Sequence, residues 1–238
     1  MIRTSALYEV LKRLADIGFS ISVLVVLSPL LLAVAALIKL DSRGPVFYVA
    51  SRTGLRGRPF RMIKFRSMAV GAEKAGPSST SDEDPRITRF GQFVRKSKLD
   101  EIPQLINVLL GDMSLIGPRP DVQTATDLYT EEQKLVLEVR PGVVDFGSLW
   151  NRDEGEILKG SADPDGDYLR HIFPTKVSLS LEYVRTRSLR LDLKITVATF
   201  AAIYLRIDPK WCLPYGMVDI PEYTREAIMG RPAEELVN

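Results

Sequence analysis

Residues 17–38 read IGFSISVLVVLSPLLLAVAALI, 22 positions from Ile17 to Ile38 without a charge. As one straight helix this run would reach about 33 Å, enough to cross a bilayer core. No small-residue cleavage site follows, the chain continuing as Lys39-Leu40-Asp41, so a cleaved signal segment is not expected. Two shapes remain open: a single spanning helix, or a segment that enters the membrane and returns. Ser28-Pro29 stands in the middle, and proline removes a backbone donor and clashes with the preceding turn. Each half is then roughly 15–18 Å long, too short to cross alone. Cations flank both ends, Arg3, Lys12 and Arg13 before and Lys39, Arg43, Arg52, Arg56 and Arg58 after. The positive-inside rule keeps both flanks on the cytoplasmic side. A re-entrant helix broken at Ser28 and Pro29 satisfies both observations and is the expected topology.

The rest of the 238 residues suffices for one sizeable domain. A formal net charge of +2 is near neutral and gives no sign of a nucleic-acid partner. A single cysteine, Cys212, excludes an internal disulfide framework and a multi-cysteine zinc site. With His171 the sole histidine, His-based triads and multi-His metal sites are not expected, which leaves carboxylates and cations to carry any catalysis.

Downstream of the apolar run, Val46–Ala50 and Phe60–Ile63 are short β-prone stretches around Arg52-Thr-Gly-Leu-Arg-Gly-Arg58, predicting a hairpin turned at Gly54 and Gly57. Gly71–Asp84, rich in Gly, Ser, Asp and Pro, reads as a loop, either a lid or a plain linker. Arg86, Arg89, Arg95, Lys96 and Lys98 then lead into Asp100-Glu101, with Phe90, Phe93 and Val94 spaced to share one helical face. Those cations could simply be the solvated side of a helix. A second helix is predicted over 101–111, with the acidic pair at its start, Pro103 in its first turn and Gly111 at its end. Acidic residues there are commonly dipole partners or caps. Beside this many cations, and with Gly117-Pro118-Arg119-Pro120 following, they also suit a phosphate site. Such carboxylates can hold Mg²⁺ against a diphosphate or attack phosphorus.

Taken together, Lys64-Phe-Arg-Ser-Met68, Asp84-Pro-Arg-Ile-Thr-Arg89, Leu99-Asp-Glu-Ile-Pro-Gln-Leu105, Asn107-Val-Leu and Gly111-Asp-Met-Ser-Leu-Ile-Gly-Pro-Arg-Pro120 resemble the bacterial sugar transferase family, the monotopic polyprenyl-phosphate phosphoglycosyl transferases. The likeness runs from about Lys12 to Asp208. It implies an α+β fold, mainly helical, with a re-entrant membrane helix (1–40), a catalytic domain on the cytoplasmic face of the bacterial inner membrane (41–208) and a C-terminal extension (209–238). The implied activity moves a sugar-1-phosphate from a UDP-sugar to a polyprenol phosphate such as undecaprenyl phosphate, with release of UMP, as the first membrane step of exopolysaccharide or lipopolysaccharide assembly. By the same resemblance Asp100 is the nucleophile and the carboxylate at Mg²⁺. Glu101 assists as acid/base or in metal positioning. Arg95 receives the lipid phosphate, Arg119 stands near the nucleotide diphosphate, and Lys64, Arg66 and Pro118 complete the substrate-binding set. Two other classes are weighed against this one: a membrane-anchored adaptor, which has no need of an attacking carboxylate, and an Mg²⁺-dependent phosphohydrolase, which would form no lipid product.

Two stretches depart from the family pattern: Val143-Val-Asp-Phe-Gly-Ser-Leu-Trp-Asn151, expected to touch sugar or nucleotide, and Ser180, where an aspartate is usual. Arg152–Asp167 reads as a loop over the site or a connector. From Ser188 onward the pattern is ambiguous. Leu189, Leu191, Leu193, Ile195 and Val197 alternate like a strand, while Leu189, Leu193, Val197, Phe200, Tyr204 and Ile207 fit a helical stripe. Length favours the helix, lying on an anionic membrane surface with Arg185, Arg187, Arg190 and Lys194, or packed in a core. In the tail, Trp211, Tyr215 and Tyr223 either make a homodimer contact or simply pack.

Overall fold

The computed structural model describes residues 5–76, 80, 84–151, 158–159, 161 and 163–214. Helices carry most of this length, with one small antiparallel hairpin, an α+β arrangement. The uncharged run folds as two helices, α1 (Ala6–Val26) and α2 (Ser28–Asp41), meeting at Leu27 with a 64° bend. Pro29 lies in the first turn of α2, where a missing N–H leaves no intrahelical acceptor unsatisfied. The Ser28 hydroxyl donates to the Val25 carbonyl at 2.7 Å, taking up an acceptor that the break releases. Because α1 reaches back to Ala6, the first arm is 21 residues long and the second 14, so the arms are less equal than the sequence predicts. No single described helix is long and apolar enough to cross a membrane, while the bent pair matches a broken span or a re-entrant loop by length and composition alone.

Each arm has an inner and an outer face. Val23 and Leu24 pack with Met62, Leu105 and Val108, and Val34 and Ile38 with Phe65 and Val94. Leu14, Phe19, Val25, Val26, Leu32 and Leu40 point outward and stay exposed. Below the apolar run, α1 is tied down by charge. Asp16 accepts from the Ser114 hydroxyl at 2.6 Å and the Leu115 N–H at 3.2 Å. Lys12 reaches Asp192 at 3.1 Å, and Asp192 also accepts from Tyr8 and Tyr183.

The hairpin is longer than the sequence predicts: β1 (Phe47–Thr53) pairs with β2 (Pro59–Phe65) from Phe47↔Phe65 to Thr53↔Pro59. Arg52 is therefore in the ladder, and the turn shrinks to Gly54–Arg58, with Arg56 and Gly57 in the left-handed region. After β2 a bridge between Met68 and Ile87 closes the loop expected over 71–84, part of which lies outside the described residues. Helix α3 (Arg89–Lys96) is capped by Thr88, whose side chain accepts from the Gly91 N–H. A side chain at Gly91 would start 2.0 Å from the Ser67 carbonyl oxygen, so only glycine lets α3 cross the end of β2 this closely. On α3 the apolar residues do not share one face: Val94 is fully buried, while Phe93 is 56% exposed and stacks on Phe90 at 5.7 Å.

The acidic pair is not in the first turn of a helix. It lies in a 3₁₀ turn, Leu99–Glu101, entered through Lys98 at φ +57°, and α4 (Gln104–Leu110) begins only afterwards. Two short strands follow, β3 (Ser114–Ile116) and β4 (Gly142–Val144), pairing in parallel. They approach so closely that a Cβ at Gly142 would fall 2.2 Å from the Gly117 nitrogen. Between them come the short helix α5 (Gln123–Thr126) and a 3₁₀ segment, Gln133–Glu138.

Past β4, Asp145 caps α6 (Phe146–Trp150) by accepting from the Gly147 and Ser148 N–H groups. Helix α7 (Pro164–Asp167) leads through a π-helical turn into α8 (Phe173–Thr186), so the connector expected to run to Asp167 is already helical at Pro164. Phe146, Leu149, Trp150, Ile172 and Tyr183 form the main core with Ile195 and Ala198 of α9 (Leu189–Tyr204). The ambiguous stretch is thus a helix. Its stripe Leu189, Leu193, Val197 and Phe200 faces outward and is 42–65% exposed, which removes the core alternative for that face, while Ile207 lies past the helix end. Ser180 is buried in α8, and nothing in the structure explains its exchange for the usual aspartate. Tyr215 and Tyr223 lie outside the described residues, whereas Trp211 is 49% exposed under the Lys194 ammonium.

Candidate active site

Four segments converge on the acidic pair. Lys64 comes from β2, Arg95 from α3, Asp100 and Glu101 from the 3₁₀ turn, and Arg119 from the loop after β3. The register between β2 and that turn is set by Asn107, 1% exposed, whose amide behaves like a strand edge. It donates to the Arg61 carbonyl at 2.7 Å and accepts from the Ile63 N–H at 2.9 Å, on either side of the residues that lead to Lys64. The Gly117-Pro118 step in turn places Arg119. Pro118 is buried and its carbonyl accepts from the Gly142 N–H at 2.8 Å, which locks the turn against β4.

The two carboxylates sit in different electrostatic settings. One oxygen of Glu101 accepts from Lys64 at 2.9 Å and from Arg119 at 2.8 Å. Burial alone would raise its pKa, but these two cations outweigh it and hold Glu101 well below the usual carboxylate range. Asp100 accepts no hydrogen bond from a described residue. Burial first, and then the Glu101 charge, push its carboxyl up to about 6, against the pull of Lys64, Arg95 and Lys98. Thus Glu101 is favoured as an anion between two cations, and Asp100 is a half-buried carboxylate with no hydrogen-bond partner among the described residues.

Asp100 lies where two cavities meet. The first, about 310 Å³, runs from Lys64, Arg95, Lys98 and Glu101 past Arg119 to Val143, Ser148, Asn151, Lys176 and Thr199. The second, about 380 Å³, shares Lys64, Thr80, Arg95 and Asp100 and extends to Pro45, Tyr48, Arg52 and Val70, beside the end of α2. Arg66 borders the second cavity, but its two terminal nitrogens are turned to the end of α2, donating to the carbonyls of Arg43, Ser42 and Ile38. The break at Ser28 and Pro29 lies in the bent α1–α2 pair rather than at either cavity.

The stretch 143–151 does wall the first cavity, through Val143, Val144, Ser148, Leu149 and Asn151. Sequence reading assigned no role to Lys176, Thr199, Ala202 or Ile203, which close the same wall from α8 and α9. No local motif marks them, because the packing of α8 and α9 on α6 alone brings them opposite Asp100.

The sequence model of the bacterial sugar transferase family matches residues 7–206. The chain belongs to that family. It is 40% identical over 202 residues to a UDP-N-acetylgalactosamine-undecaprenyl-phosphate N-acetylgalactosaminephosphotransferase of Aeromonas hydrophila, covering 84% of this chain and 45% of that protein. It is 34% identical over 200 residues to a UDP-glucose:undecaprenyl-phosphate glucose-1-phosphate transferase of Escherichia coli, covering 82% of this chain and 40% of the other. With the exopolysaccharide production protein ExoY of Sinorhizobium fredii it shares 34% identity over 209 residues, 82% of this chain and 85% of that one. The chain thus spans less than half of the first two relatives and most of the third. The matched span includes Asp100, which lines both cavities, and Glu101, which lines the first.

Proposed function

We propose that this chain transfers a sugar-1-phosphate from a UDP-sugar to a polyprenol phosphate, releasing UMP, through a covalent intermediate on Asp100. The observation that carries the reading is the meeting of two cation-lined cavities at one carboxylate without hydrogen-bond partners among the described residues. A single group exposed to both cavities can accept the phosphosugar from one substrate and hand it to the other. The names of the Aeromonas and Escherichia relatives give N-acetylgalactosamine and glucose as the sugar and share undecaprenyl phosphate as the acceptor.

In the first step an Asp100 oxygen attacks the sugar-bearing phosphorus. The bond from that phosphorus to the bridging oxygen breaks, and UMP leaves with the electron pair. In the second step a phosphate oxygen of the lipid attacks the same phosphorus and the Asp100 carboxylate is expelled. Neither step needs a net proton, which suits a site whose second carboxylate is held ionised. Glu101 fixes Lys64 and Arg119 against the diphosphate, so that an anionic carboxylate can approach an anionic phosphorus. That geometry favours a positioning role over acid/base work for Glu101.

Among the described residues no group of three or more His, Cys, Asp or Glu could hold a metal by itself. Mg²⁺ commonly takes one or two carboxylates and completes its shell with water and substrate phosphates, so the open lone pairs of Asp100 fit a cation arriving with the diphosphate. Bound there, Mg²⁺ would neutralise charge on the diphosphate.

The bent α1–α2 pair, its outward apolar faces and the exposed stripe of α9 support a re-entrant anchor with the site on the cytoplasmic face. In the deciding experiment, purified protein is mixed with UDP-sugar and Mg²⁺ without lipid, and its intact mass is followed. A gain of one sugar phosphate on the peptide holding Asp100, with stoichiometric UMP, is expected. UMP appearing only when polyprenol phosphate is present, with no adduct, would instead mean direct transfer between the two substrates.

A further inference from the structure

The first cavity holds an oddity that the transfer chemistry does not use. Asn151 is only 6% exposed, yet neither its Nδ2 nor its Oδ1 has a hydrogen-bond partner among the described residues, and the residue lines the cavity that contains Asp100. Its position is fixed, since its backbone N–H donates to the Gly147 carbonyl at 2.9 Å and ends α6. A buried amide left unpaired is destabilising, and a ligand that pairs both atoms removes that cost. The neighbouring polar groups are engaged: the Ser148 hydroxyl donates to Asp145, and the Thr199 hydroxyl donates to the Ile195 carbonyl at 2.8 Å. The remainder of this wall is Lys176, whose ammonium lies 5.1 Å from the centre of the Tyr168 ring, and the apolar Val143, Val144, Leu149, Ala202 and Ile203.

We propose that the Asn151 carboxamide reads the uracil of the nucleotide, Oδ1 accepting from the imide N3–H and Nδ2 donating to an adjacent ring carbonyl. This deepens the transferase reading and rests on it. The match is chemical. An amide offers one acceptor and one donor side by side, and the imide edge of uracil offers the complement in the same spacing. A flat base with apolar faces suits a wall that includes Val143, Val144, Leu149 and Ile203. A sugar ring carries hydroxyls on most of its perimeter and would leave them facing aliphatic carbon.

The test uses the full chain in detergent and two probes, UMP and N3-methyl-UMP, with hexose 1-phosphate as a control. Wild type should bind UMP about 5- to 150-fold more tightly than the methylated probe, the range for a bidentate base contact. Asn151→Leu should lose UMP affinity by a similar factor and should no longer separate the two probes. Its KM for UDP-sugar should rise with kcat nearly unchanged, and hexose 1-phosphate binding should not move. Asn151→Asp keeps the size and one acceptor but places a negative charge where the donor stood, so UMP binding should weaken in it as well. Wild type binding both probes equally would overturn the assignment whatever the variants do. So would a variant that loses hexose 1-phosphate but keeps UMP, since the amide would then face the sugar. A wild-type protein that releases no UMP from UDP-sugar would fail the transferase reading itself, and the assignment with it.

Discussion

Replacing Asp100 with asparagine should make the protein more stable at neutral pH while removing its activity. The native structure holds the Asp100 carboxyl up at about 6, against 3.8 for an exposed aspartate. A group with a raised native pKa binds its proton more tightly in the folded chain. Folding stability therefore falls as pH rises from about 4 to about 6, and the whole loss is present above that window. A shift of about two pKa units at about 1.36 kcal/mol each gives roughly 3 kcal/mol. Asp100 keeps some contact with water, so about 1–3 kcal/mol is the expected gain for Asp100→Asn. In a chain of this length that raises Tm by about 2–10 °C.

Thermal unfolding of both proteins in detergent, from pH 4 to pH 8 without substrate or Mg²⁺, provides the measurement. The gap between them should open across pH 4–6 and then stay level. A gap that ignores pH, or an asparagine variant less stable than wild type at pH 8, would refute the claim that this carboxylate is held at a cost. The intact-mass assay on the same variant should show neither adduct nor UMP. Stability given up at one residue that the reaction needs is the pattern of a functional site rather than of a surface ion pair.

Glu101→Gln removes the like charge beside Asp100, so the acid limb of kcat/KM for UDP-sugar, expected near pH 6 in wild type, should move to lower pH as overall activity falls; a limb moving upward would contradict the coupling. Arg95→Ala should weaken use of the lipid phosphate more than use of the nucleotide sugar, by about 10- to 150-fold for the loss of roughly 1.5–3 kcal/mol; steady-state KM values for both substrates decide it, and equal losses would move Arg95 off the acceptor. Asn107→Leu strands the Arg61 carbonyl and the Ile63 N–H, which should destabilise the fold by about 2–4 kcal/mol in chemical unfolding; a change below 1 kcal/mol would mean that the β2–α4 register is held by packing alone. Replacing Ser28-Pro29 by Ala-Leu should straighten the α1–α2 pair and carry the N-terminus across the membrane. Thiol labelling of single cysteines at Thr4 and Ser42 should place both on the cytoplasmic side before the change and only one after it, and periplasmic labelling at Thr4 in the unaltered chain would sink the re-entrant reading.

How far the sequence foretold this structure depended on the range of the interactions involved. The break at Leu27 was legible because proline acts on its own helix turn, whatever surrounds it. The hairpin was legible from Gly54 and Gly57, though not its length, since Arg52 joins the ladder only through pairing with Phe60. The acidic pair was found but set in the wrong element. Lys98 takes up a left-handed conformation that nothing in its chemistry announces, and this starts a separate 3₁₀ turn holding the acidic pair ahead of α4. The outward stripe of α9 showed its period but not its direction, because a 3.6-residue repeat does not say which side meets the core.

The same distinction separates the chemistry from its selectivity. Lys64, Asp100, Glu101 and Arg119 sit in motifs dense enough to be found in sequence; on the proposed mechanism each must hold its place to neutralise or attack the diphosphate of the nucleotide sugar. Asn151, Lys176 and Thr199 come from three elements that approach one another only through the core around Phe146, Tyr183 and Ile195. Their surroundings can change without disturbing the acidic pair, since Glu101 already holds Lys64 and Arg119 in place by direct contact. A reactive end fixed by local ion pairs and a recognition end built from distant helices would let one transfer reaction serve different nucleotide sugars. On that division, exchanging residues 143–151 between relatives should alter the UDP-sugar preference and leave the adduct on Asp100 intact, and an exchange that abolished the adduct would show the two ends to be coupled.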